Sequence, residues 1–73
     1  MKEPMFTKRH FEAIAKALLS AKIATNYIIE ESHKEIAKKI FDEIEIILIQ
    51  LFQDDNPRFD RYRWLKVTEW DWR

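Results

Sequence analysis

The chain has no glycine and no cysteine, and only two prolines and two histidines among its 73 residues. Each shortage closes off a class of protein. Without glycine there is no Gly-rich loop to cradle a phosphate. Without cysteine there is neither a disulfide nor a thiolate zinc site. His10 has no Asp or Glu three or four residues away and His33 has only Glu30, so neither belongs to a metal-binding pattern, and no cofactor is expected. The longest apolar stretch, residues 44–52, is interrupted by Glu45 and Gln50. It falls far short of the roughly 20 residues of a membrane-spanning helix, so no membrane contact is expected. The opening MKEPMFTKRH lacks the continuous apolar core of a secretory signal, and a cytoplasmic protein is the default expectation.

What is present describes a small globular domain. Hydrophobic residues make up 47% of the chain and charged residues 36%, well away from a disordered composition. A domain this short buries only about 60% of the surface its unfolded chain exposes, so a lone copy is marginal and oligomerisation is the expected support. Thirteen basic residues balance thirteen acidic ones, which speaks against a dedicated duplex-binding protein. The charges are unevenly spread. Residues 1–24 carry a net of +3, residues 25–55 a net of −5 and residues 56–73 a net of +2. Complementary segments of this kind fit helices that pack side by side and pair charges locally.

The pattern predicts an all-α fold of three helices in a single domain spanning 1–73. Residues 1–6 read as a loose arm, with Thr7 as N-cap of a helix over about 8–22 whose apolar stripe is Phe11, Ile14, Ala15, Leu18 and Leu19. Its exit is weakly marked, and Thr25 and Asn26 are the best turn candidates. Ser32 followed by Glu35 makes a capping box, yet Tyr27 to Ile29 could also open the second helix, so its start falls anywhere from 27 to 33. That helix runs to about 53 on Ile36, Ile40, Ile44, Ile47, Leu48 and Leu51, with Glu35 and Lys39 as a favourable i,i+4 pair. Its second half is apolar nearly all round and must be covered on most sides, in part by a second copy of the chain. A β-strand is the competing reading of EIEIILIQLF, but no second strand exists to pair with it.

Residues 54–57, DDNP, stop the second helix. Proline disfavours a helical residue before it, so Asn56 is expected to cap a third helix over 57–66 with Pro57 in its first position. Phe59, Tyr62 and Leu65 would then dock on the second helix. Asp54, Asp55 and Asp60 surround the turn, where capping and pairing with Arg58, Arg61 or Arg63 accounts for them better than acid–base catalysis. The tail over 67–73 alternates Trp70 and Trp72 with Glu69 and Asp71, as an extended segment on a groove would.

Two stretches, TKRHFEAIA over 7–15 and NPRFDRYRWL over 56–65, resemble the ends of a group of small proteins of phages, prophages and other mobile elements. Members begin with a T-K-x-H-F-like helix and end with N-P-x-F-D-R-x-R-F-L. Asn56, Pro57, Phe59, Asp60, Arg61, Arg63 and Leu65 match that ending, with Trp64 in place of the usual Phe. The chain departs from the group in its finish, KVTEWDWR, which lacks the usual glycine. The group has no assigned reaction, so the resemblance implies a setting in a bacterial host cell rather than a chemistry.

Together these readings point to a non-enzymatic interaction protein, since the chain has no nucleophile–base or metal pattern. Arg58, Arg61, Arg63 and Trp64, with Trp70 and Trp72, are the candidate partner-binding residues, because Arg and Trp dominate binding hot spots. Ile44, Ile47, Leu48, Leu51 and Phe52 are the candidate core and homodimer residues. The expected role is a mobile-element accessory protein that binds and modulates or inhibits a host factor, such as a defence component. A small nucleic-acid-binding regulator using the basic residues of the first and third helices is the alternative. A structural subunit of a phage assembly is a third reading.

Overall fold

The computed structural model of the chain describes residues 3–72. Over these residues the fold is all-helical: α1 (Lys8–Ile28), a 3₁₀ turn (Glu31–His33), α2 (Lys34–Asp55) and α3 (Arg61–Thr68). The apolar EIEIILIQLF segment is helix throughout, not strand. No described residue has a positive φ, so every turn is built without the left-handed backbone that glycine usually supplies.

Thr7 is the N-cap of α1, and its own N–H is held by His10 Nδ1 at 3.0 Å. That reach-back is the part a Glu or Gln usually plays in a capping box. α1 then runs through Thr25 and Asn26, past the expected end at 22. With neither glycine nor proline between Ala21 and Ser32, nothing interrupts its hydrogen bonding until Ile29 turns extended, its N–H on the Thr25 carbonyl at 3.1 Å. α2 begins at Lys34, just after the expected window. Ser32 does not cap it: the serine lies inside the 3₁₀ turn, His33 takes the N-cap position, and no side chain caps there. Glu35 and Lys39 are both exposed and form no ion pair.

The third helix differs most from expectation. Asn56 Oδ1 accepts the Arg58 N–H at 3.0 Å, and the Asn56 carbonyl accepts the Phe59 N–H at 3.0 Å. The asparagine therefore closes a tight turn around Pro57 rather than capping a helix. Asp60 is the true N-cap, its Oδ1 accepting the Arg63 N–H at 3.1 Å. This later start turns the helix to a new phase. Phe59 is still buried, but Tyr62 and Leu65 face outward, while Trp64 and Thr68 point into the body.

The core is aromatic and sits towards the end of the molecule where α1 begins and α2 finishes. Phe52 lies at its centre, 5.0 Å from Phe11, 5.1 Å from Phe6, 5.4 Å from Phe59 and 5.2 Å from Trp64, measured between ring centroids. Tilted and edge-on pairs at these separations each add about 0.5–1.5 kcal/mol to the area they bury. The N-terminal arm joins this cluster rather than hanging loose. Asp55 accepts the Met5 and Phe6 N–H groups at 3.0 and 2.8 Å, and Asn56 Nδ2 donates to the Phe6 carbonyl at 3.0 Å. The arm's first two residues lie outside the described part. Asp55 is thus occupied by backbone amides and Asp54 by Gln50 Nε2, so neither pairs with an arginine as expected.

The molecule is a rod of 49 × 18 × 17 Å. Its radius of gyration of 13.6 Å exceeds the roughly 11 Å of a compact chain of this length.

Candidate interaction surface

Two features stand out beyond the core: a buried ion pair that locks the helices, and an apolar face that no described residue covers. The ion pair sets which way α2 turns. Lys22 Nζ donates to Glu45 Oε1 at 2.6 Å and to the Thr68 carbonyl at 2.7 Å, with all three residues buried. One ammonium so joins α1, α2 and the final carbonyl of α3, where the helix dipole is negative. Thr68 Oγ1 in turn donates to the Trp64 carbonyl at 3.1 Å. Sequence reading overlooked this trio. The available signal was a charge at an apolar-face position on each helix: Lys22 seven residues after Ala15, and Glu45 amid isoleucines.

With Glu45 and Phe52 turned inward, helical geometry of about 100° per residue carries a different set of side chains to the outside. Ile36, Ile40, Ile44, Ile47 and Leu51 recur at four- and three-residue spacing along α2, between 38% and 64% exposed. They line one stripe roughly 140° around the helix from Glu45 and Phe52. The corresponding side of α1 carries the exposed Ala17, Ala21, Ala24 and Ile28. Those positions lie well around α1 from Glu12, which pairs with Arg63 at 3.2 Å, and from Lys22, which meets Thr68. Both stripes are therefore on the side of the α1–α2 hairpin turned away from α3.

The expected core and dimer residues divide along this line. Phe52 is core and Leu48 packs partly against it, whereas Ile44, Ile47 and Leu51 belong to the open stripe. The expected partner-binding residues divide too. Trp64, 3% exposed, is a core residue packed on Phe52 and Phe59, which leaves it no surface for a partner. Arg63 is tied to Glu12. Trp70 and Trp72 are half-buried in the stretch after α3, and Trp72 stacks at 5.6 Å on Phe41 of α2. Arg58 and Arg61 remain exposed, and the Arg61 guanidinium lies 5.9 Å from the ring of Tyr62, itself 79% exposed.

The tail also lines shallow grooves. One of about 480 Å³ runs beside the lock, past Lys22, Glu45, Thr68 and Trp72. Another of about 900 Å³ lies between Asn26, Tyr27, Lys66 and Trp70. Among the described residues no three His, Asp or Glu side chains gather as metal ligands, and no helix is long and apolar enough to cross a membrane. Comparison with protein-family models, with curated proteins and with solved structures finds no match.

Proposed function

We propose that this protein is a non-enzymatic interaction module, which works by offering an apolar helical face for another protein to cover. The observation that supports this reading is the stripe of Ile36, Ile40, Ile44, Ile47 and Leu51. Its side chains present on the order of 500 Å² in one strip, towards the upper end of the largest apolar patch on a typical monomer, which is often functional. The resemblance to mobile-element proteins suggests the finer version: an accessory protein of a phage or similar element that binds and modulates or inhibits a host factor in the bacterial cytoplasm. The exposed Arg58, Arg61 and Tyr62 offer a second edge for such a partner, being of the residue types that dominate hot spots.

The test is affinity capture from host extract on immobilised wild-type protein and on a folded variant with Ile40→Glu and Ile47→Glu. Protein bound by the first and released by the second, or self-association lost in the same variant, is the expected result. A wild-type chain that neither self-associates nor holds any protein would end this reading.

A second reading, a nucleic-acid-binding regulator, draws on the Arg61–Tyr62 pair, whose cation and ring could stack on unpaired bases. It predicts a gel shift with single strands that weakens steeply as salt rises and is lost with Arg61→Ala.

A further inference from the structure

Resting on the protein-binding reading, we propose that the occupant of the open face is a second copy of this chain, with each copy's isoleucine stripe seated on the other's alanine stripe. The result is a four-helix bundle whose twofold axis runs along the hairpin. Four observations carry this.

The first is area. If two copies cover one another's α2 stripe, they bury on the order of 1,000 Å² before α1 is counted, which reaches the range of specific interfaces. The second is the surplus of surface. A compact monomer of 9.0 kDa exposes about 4,900 Å², whereas this chain exposes 5955 Å². The excess is roughly twice the α2 stripe that a second copy would cover on this chain, which leaves room for the α1 stripe as well.

The third is register. Within the chain, Lys22 reaches Glu45 and Phe11 packs on Phe52, so residues of α1 and α2 whose numbers add to between about 63 and 67 lie close in height along the rod. To within about one helical turn, Ile40 is then level with Ala24, Ile44 and Ile47 with Ala21, and Leu51 with Ala17. The spacing of four, three and four residues is common to both stripes. A twofold axis along the hairpin keeps heights unchanged and lays α2 of one copy antiparallel over α1 of the other. Ile40, Ile44, Ile47 and Leu51 then each meet a small side chain at about the same height.

The fourth is shape. Facing two isoleucine stripes together would leave the two alanine stripes apart, while large-on-small contact fills both helix pairs evenly. Helices in such a bundle pack 8–10 Å apart, a separation the alanines permit.

The experiment measures mass by sedimentation or light scattering over a range of concentrations. Wild type is expected at twice the chain mass, with a melting temperature that rises with concentration. Ala21→Arg and, separately, Ile40→Glu with Ile47→Glu should each give a single-copy mass with unchanged helical circular dichroism, since all three positions are exposed in one copy. Because the chain has no cysteine, orientation can be read by disulfide trapping. A mixture of Ala21→Cys and Ile47→Cys chains should form a cross-linked pair containing one of each, and neither alone should. A wild-type chain that stays single at high concentration overturns the proposal while leaving heterologous binding by the same face intact. A dimer that survives Ala21→Arg, or Ile44→Cys chains that cross-link to themselves, overturns the stripe-on-stripe arrangement.

Discussion

Removing the Lys22 ammonium would leave the Glu45 carboxylate with almost no access to water and the Thr68 carbonyl without its donor. Lys22→Ala is therefore expected to cost about 3–5 kcal/mol, the penalty of stranding one member of a buried pair. For a domain whose whole stability is of order 5–15 kcal/mol, that is a large share. Replacing both partners, Lys22→Met with Glu45→Leu, should recover most of the loss, because no buried charge remains. Urea denaturation of the single and double variants measures this, and a double as unstable as Lys22→Ala would mean that the ion pair itself, not its desolvation, holds the helices. Caps give a finer contrast. Asp60→Ala should cost about 1 kcal/mol, since its carboxylate closes the Arg63 N–H. Ser32→Ala should change stability by less than about 0.5 kcal/mol, since its hydroxyl caps nothing.

At the scale of elements, helical periodicity was enough to find both long helices and Pro57 to find the break after α2, though α2 runs on through Asp55 rather than ending near 53. Their ends were harder to read. α1 overran its expected exit because Thr25 and Asn26 have only weak turn preferences, which an unbroken run without glycine or proline overrides. α3 started late because Asn56 had two uses open to it, and the turn around Pro57 won once its amide also found the Phe6 carbonyl 50 residues away. No local pattern reports a bond of that range. The arm was misread for the same reason, as Asp55 reaches it across the fold. Asp55→Ala should free Met5 and Phe6 and weaken the Phe6 contact with Phe52, costing about 1–3 kcal/mol. Hydrogen exchange at the Phe6 amide, much faster in the variant, would register that release.

For the whole molecule, the apolar content of α2 was legible, but which of its sides the chain covers for itself was not. That depends on Glu45, whose inward turn towards Lys22 rotates Ile47 to the outside. Ile47→Asp is accordingly expected to leave a single copy folded, within about 1 kcal/mol of wild type in a monomeric background, because the new carboxylate stays in water. Loss of helical circular dichroism at high dilution would contradict this. The contact between Lys22 and Thr68 also bears on how the protein is made. Its two ends are separated by 46 residues, so a ribosome that has finished α2 has not yet supplied the carbonyl that completes the site. The hairpin emerging during translation carries an unfinished polar centre until the last helix is free. The packing of Lys22 and Glu45 is thus completed only once α3 has folded back on the hairpin.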